Sequence, residues 1–103
     1  MLIIRKLAEM IGEELDDAEK YIRCAISEKE QHPALAEVFA KLSDEEMRHM
    51  AILHEQVVKL IRDYKASKGE PPPAMMAVYD YLHKQHTDRT VEVRAMQDMY
   101  RNG

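Results

Sequence analysis

Residues 42–53, LSDEEMRHMAIL, place two ionisable residues within an apolar helix pattern. Leu42 and Leu53 belong to a row of residues separated by alternating steps of three and four, which is the spacing of one helix face. Glu46 and His49 occupy the positions between them in this row. A carboxylate buried without a partner costs several kcal/mol, so the pattern predicts a helix whose inner face needs a compensating group.

Composition indicates a single helical domain. The chain has 103 residues, with three Gly, four Pro, one Phe and no Trp, and helix-forming residues dominate it. The formal net charge is −4. The sequence contains neither a basic patch typical of nucleic-acid binding nor a run of about 18 apolar residues. We therefore expect an all-α protein without nucleic-acid or membrane partners.

Two features favour a cytoplasmic location. Cys24 is the single cysteine and has no intrachain partner for a disulfide, which fits a reducing compartment. The first ten residues, MLIIRKLAEM, contain too short an apolar run for the core of a signal peptide.

Two proline-containing segments divide the chain into three predicted helices. Pro33 suits the first turn of a helix, and KGEPPP at 68–73 combines a C-capping Gly69 with three prolines. The predicted helices cover about residues 2–30, 34–67 and 74–101, with HTDRT at 86–90 as a candidate kink. The domain boundaries follow: an antiparallel hairpin in 1–68, a Pro-rich linker in 69–73, and a C-terminal helix for packing or oligomerisation in 74–103.

Helix 1 carries a matching apolar row that also contains polar residues. Its apolar members are Ile4, Leu7, Ile11, Ala18 and Ala25, and the same steps pass through Glu14 and Tyr21. Glu46 and His49 are three residues apart and share a helix face, while Glu14 lies about one turn off their level on the antiparallel partner. Carboxylates with an imidazole suit a divalent transition metal, so Glu14, Glu46 and His49 are the predicted metal ligands.

The segments EELDDAEKY, residues 13–21, and EEMRH, residues 45–49, resemble the ferritin-like di-iron carboxylate proteins. In those proteins one helix carries a Glu with a Tyr seven residues later, and the next carries Glu-x-x-His. The similarity is closest to the encapsulated ferritins, whose short chains form the metal site between two subunits, and rubrerythrins share the motif. The resemblance covers roughly residues 13–54.

This resemblance implies a homodimer or larger homo-oligomer in which two hairpins form a ferritin-like four-helix bundle. Glu14 would be a terminal ligand, Glu46 a bridging carboxylate and His49 a terminal ligand, with two irons per dimer. Tyr21 would form hydrogen bonds near the irons and take part in catalysis. The implied activity is oxidation of Fe(II) by O2 or peroxide, and other divalent metals would bind in vitro.

The resemblance has two further implications. Glu13 and Asp16 would guide iron inward, and the partners would include an encapsulating shell protein, which would place the chain in a protein nanocompartment. Met50 departs from the pattern, since a small Ala frequently follows the histidine in the family.

Other interpretations of these residues stay open at this point. Ser43 and Glu46 also fit a capping box at the start of a new helix. Glu14 would lie beside the core if the inner row of helix 1 passes through Met10, Leu15 and Ile22. His49 would be a core histidine if it bonds to Glu46 or Tyr21 without metal.

Helix 3 offers a rival site and a packing stripe. Asp80, His83 and His86 step by three and form a candidate zinc or nickel site. A stripe of apolar residues would dock on helices 1 and 2 or on a neighbouring subunit: Tyr79, Leu82, Val93, Met96 and Tyr100. The sequence therefore also fits a second class of function. In this alternative the protein is a non-enzymatic helical oligomer, such as an adaptor or structural protein, and its metal site is structural or degenerate.

Overall fold

A computed structural model describes residues 2–103 and forms three helices over that range. They are α1 (Leu2–Glu28), α2 (Pro33–Lys68) and α3 (Pro73–Asn102). The all-α prediction is confirmed, and helix bounds agree with the expected ones within two residues. Residues 86–90, the candidate kink, do not divide α3, which continues through them without interruption.

The helix ends lie where proline and glycine predicted them. Pro33 is the first residue of α2, where its missing N–H is not needed. Gly69 ends α2 with a φ of +84° and donates its N–H to the Lys65 carbonyl oxygen at 3.1 Å. A positive φ is accessible to glycine at little cost, which makes this residue the natural C-cap. Pro73 then begins α3.

The helices run up, down and up. The α1 and α2 helices form an antiparallel hairpin, and α3 returns along α1 in the same direction as that helix, with most of its contacts made to α1. Arg89 of α3 contacts Asp16, and Lys29 donates a hydrogen bond to the carbonyl oxygen of Tyr100. The resulting bundle measures 56 × 19 × 17 Å. No helix within residues 2–103 combines the length and apolar character needed to cross a bilayer.

The buried row of α2 lies one residue away from the predicted row. In α1 the predicted Ile4, Ile11, Ala18 and Ala25 are buried, and only every second position of the row is displaced by one residue. In α1 the buried residues are Ile4, Ala8, Ile11, Leu15, Ala18, Ile22 and Ala25. In α2 they are Ala36, Ala40, Ser43, Met47, Met50 and Val57. The expectation that Glu14, Tyr21, Glu46 and His49 fill core positions is therefore wrong. The alternative row through Leu15 and Ile22 is correct for α1, although Met10 is exposed.

The displacement follows from burial energetics. Leu15 and Ile22 are completely buried in the observed register. The predicted row would instead place Glu14 and Tyr21 inside, at a cost in desolvation and with less apolar surface removed from water. The carboxylates thus lie at the edge of the core.

A polar network connects all three helices at the centre of the bundle. The buried Ser43 hydroxyl donates to the Ala18 carbonyl oxygen at 2.7 Å, and Gln97 Nε2 donates to Ser43 Oγ at 2.9 Å. Because α2 continues unbroken through Ser43, this residue is no helix cap. The capping-box interpretation of Ser43 and Glu46 is therefore wrong.

Replacement of Ser43 tests the network. We expect Ser43→Ala to lower the free energy of unfolding by about 1–3 kcal/mol, since the buried Gln97 amide loses its acceptor. Chemical denaturation monitored by circular dichroism measures the change. Ser67→Ala is the control, because the Ser67 hydroxyl is exposed and bonds only within its own helix. Equal effects of the two substitutions would contradict a structural role for the network.

Acidification should weaken the docking of α3. The pKa of His54 is lowered, mainly by burial and then by the charge of His83, and Glu55 acts in the opposite direction. Burial, followed by Arg89, His83 and His54, also lowers the pKa of His86. Since the unfolded chain binds these protons more readily, the stability is complete above pH 6.5 and decreases as the pH falls below it.

Thermal unfolding between pH 7.5 and 5 measures this effect. The melting temperature should fall through the acidic range, and the double variant His54→Gln/His86→Gln should show a smaller decrease. His32→Gln should behave like the parent, because His32 is exposed and its hydrogen bond to Glu28 is local to the turn between α1 and α2. An undiminished decrease in the double variant would show that other groups cause it.

Candidate metal centre

The three predicted metal ligands converge on one side of the hairpin. Glu14 from α1 and Glu46 and His49 from α2 each offer one ligand atom, and these atoms lie within 4.8 Å of one another. His49 Nδ1 is 3.6 Å from Glu14 Oε2 and 3.8 Å from Glu46 Oε2. Both distances are longer than a hydrogen bond. They leave the imidazole beside the carboxylates without bonding to them, and the His49 side chain is 53% exposed. His49 is therefore not a buried core histidine.

The register of the hairpin brings these residues to the same level. Ser43 bonds to Ala18, and Glu46 lies three residues beyond Ser43 while Glu14 lies four residues before Ala18. Because the two helices are antiparallel, moving forward from Ser43 and backward from Ala18 leads in the same direction along the bundle. Glu14 and Glu46 therefore lie within about one residue of the same level, and not one helical turn apart as predicted. The difference arises because α1 ends at Glu28, earlier than predicted.

The electrostatics of the site favour a cation. Glu14 Oε2 is buried and has no hydrogen-bond partner. The pKa of Glu46 is raised, first because Glu46, when protonated, can share its proton with Glu14, then by burial and by the Glu14 charge. His49 acts in the opposite direction. Two carboxylates and one imidazole nitrogen are a donor set that suits iron and related divalent ions, so the residues fit such an ion.

The site faces away from α3. Asp16 of α1 contacts Arg89, and Asp44 of α2 accepts a hydrogen bond from Arg101 at 2.6 Å. Glu14 and Glu46 are each two residues away from these aspartates, which is about 200° around a helix. The carboxylates therefore point to the side of the hairpin that α3 leaves uncovered.

Apolar side chains surround the site on this uncovered side, which we call the open face. At helical spacing from Glu14 and Glu46 lie the half-buried Leu7, Tyr21, Phe39, Leu42, Leu53 and Leu60. The exposed Met10 and Leu35 extend the same face, each with a relative exposure of 46%. A polar cluster surrounded by incompletely buried apolar side chains is typical of a surface that another helix covers.

Tyr21 is held by packing. Its ring stacks on Phe39 across the hairpin, with centroids 6.3 Å apart. Within residues 2–103, no hydrogen bond joins its hydroxyl to the three candidate ligands. Its catalytic role stays a prediction. Asp16, expected to guide iron, is instead paired with Arg89 on the opposite side of α1.

The rival site in α3 does not assemble as predicted. Among residues 2–103, Glu14, Glu46 and His49 are the only group of three potential ligands that converge. His83 instead contacts His54 of α2, and His86 Nε2 faces Gly12 of α1. The sequence analysis did not identify His54 as a candidate ligand. Its position gave a signal, because His54 lies four residues after the buried Met50 and three before the buried Val57.

Comparisons of the chain with protein-family models, curated proteins and solved structures gave no match. The ferritin-like interpretation therefore depends on the motifs and on the geometry of the site.

Neutralising one carboxylate should stabilise the metal-free chain. We expect Glu46→Gln to raise the free energy of unfolding by about 1 kcal/mol or less in the presence of a chelator, because repulsion from Glu14 is removed. Thermal unfolding in EDTA measures this change. Glu45→Gln alters an adjacent, exposed carboxylate and should have no effect. A destabilised Glu46→Gln chain would show that Glu46 has a structural role.

Proposed function

We propose that this protein is a ferritin-like iron oxidase whose two-iron site forms between two copies of the chain. The observation that carries the proposal is the convergence of Glu14, Glu46 and His49 around a buried carboxylate oxygen without a partner. This set is half of what a ferritin-like site uses, namely one Glu and one Glu-x-x-His instead of two of each.

A second copy of the chain, bound to the open face, supplies the remaining ligands of the proposed site. Two-fold symmetry brings a second Glu14, Glu46 and His49 opposite the first set, since a symmetric interface uses the same face of both chains. The apolar residues of the open face support this arrangement, because they would be buried around the metal ligands. The α3 helices would then lie on the outside of a four-helix bundle.

In this proposal Fe(II) is the substrate, and O2 or peroxide oxidises it to Fe(III). Four carboxylates from two chains would neutralise the charge of the paired ions, and the two histidines would supply nitrogen ligands. His49 is half-exposed in one chain, which suits a ligand that has to admit an incoming ion. The apolar rim would limit access of water once the dimer has formed.

Anaerobic titration with Fe(II) tests the proposal. Binding should saturate at about one iron per chain. Exposure to air should then produce rapid absorbance in the near ultraviolet. His49→Ala should lose both saturation and rapid oxidation, while His32→Ala, an exposed histidine far from the site, should retain them. Sedimentation should show a dimer or larger oligomer of the parent chain.

Either of two results would contradict the iron oxidase. Iron binding that does not saturate would show that Glu14, Glu46 and His49 do not form a defined iron site. Identical oxidation by the parent and His49→Ala would show that the reaction occurs elsewhere. An intact oligomer with inert Glu14, Glu46 and His49 would favour the second function class, a non-enzymatic adaptor or structural protein.

A further inference from the structure

A pair of histidines joins α2 to α3 on the side of the hairpin opposite the open face. His54 Nε2 and His83 Nδ1 form a hydrogen bond at 3.3 Å, in which one neutral imidazole donates and the other accepts. Their rings are nearly parallel, at 20°, with centroids 5.1 Å apart. Tyr79 also stacks on His83, with its ring centroid 5.6 Å from that of His83. The pair plays no part in the proposed iron site.

We propose that His54 and His83 bind one divalent transition metal, with Zn(II) as the best-fitting ion, and that this metal connects α2 to α3. Two nitrogen ligands of a tetrahedral ion, each about 2.0–2.1 Å from it, lie roughly 3.3–3.4 Å from each other. The two ring nitrogens are already separated by 3.3 Å. The torsion that turns an imidazole ring about its Cβ–Cγ bond is broad, so both rings can orient toward a shared ion at little cost.

The surroundings define a site with two protein ligands. His86 is not a ligand of this site, because its side chain points to α1. Its Nε2 lies beside Gly12, 3.7 Å from the position that a Cβ atom on this glycine would occupy. His83 is exposed and His54 is partly exposed, so water can fill the remaining coordination positions. The pKa of His54 is lowered, first by burial and then by the charge of His83, with Glu55 acting in the opposite direction. The imidazole is therefore neutral near pH 7.5, which is the form that binds a metal.

A metal at this position would strengthen the contact between α2 and the N-terminal half of α3. Three other hydrogen bonds between α2 and α3 originate from Gln97, Tyr100 and Arg101, in the C-terminal half of α3. His83 lies in the N-terminal half, where α3 meets α2 through the histidine pair. Binding by the folded chain alone stabilises that chain by mass action, so the metal would hold this half of α3 in place.

Titration of Zn(II) near pH 7.5 tests the site. The background is the full chain with Glu46→Ala/His49→Ala, which removes the carboxylate-rich centre. Calorimetry should give one Zn(II) per chain, and Zn(II) should raise the melting temperature. His54→Ala and His83→Ala should each weaken binding by more than about tenfold and remove the thermal shift, since even indirect changes at metal sites have effects of this size. His32→Ala and Asp80→Ala should bind like the background.

Three outcomes would overturn the proposal. The first is the absence of saturable binding at about one ion per chain. The second is unchanged binding in either His54→Ala or His83→Ala, with helix content confirmed by circular dichroism. The third is loss of Zn(II) binding in both His83→Ala and Asp80→Ala while His54→Ala still binds. That pattern would identify a surface site within α3. His83 is exposed, so its variant tests binding even if His54→Ala folds poorly.

Discussion

The hydrogen bond from the Ser43 hydroxyl to the Ala18 carbonyl oxygen fixes the register of the hairpin, and the rest of the structure depends on that register. A buried hydroxyl without a partner is costly, so sliding of the helices is penalised. Small residues reinforce this constraint, since Ala25 and Ala40 are completely buried and permit close approach of the helices. In this register Glu14 and Glu46 reach the same level.

The two sides of the hairpin have different chemistry. On one side α3 buries Val93 and most of Tyr100, and ion pairs such as Arg89–Asp16 lie at the margin. Such exposed pairs contribute little, so apolar burial accounts for most of the docking energy. On the other side the half-exposed His49, when protonated, is the positive group beside Glu14 and Glu46, whose carboxylates remain near each other. That local frustration is typical of functional sites, where proteins depart from what stability alone would favour.

Much of this architecture was predictable from local signals. Pro33 and Gly69 mark helix ends by their own conformational restrictions, and the spacing of Glu46 and His49 places them on a common face. The exact buried rows were not predictable, because Leu7 and Leu15 both fit a helical period next to Ile11. Choosing between them requires the partner helix. The contact between His54 and His83 depends on how α3 docks, a non-local fact for which the sequence contains no short-range signal.

The hydrogen bonds through Gln97 and Ser43 lead us to expect different local stabilities in the two halves of α3. Its C-terminal half shares a buried donor with the hairpin, so local opening there would leave a polar group unsatisfied in the core. Its N-terminal half meets α2 at the partly exposed ring contact of His54 and His83. Backbone amides near Gln97 should therefore exchange with solvent only when the whole domain opens. Those near His83 should exchange through local fluctuations that leave the hairpin intact.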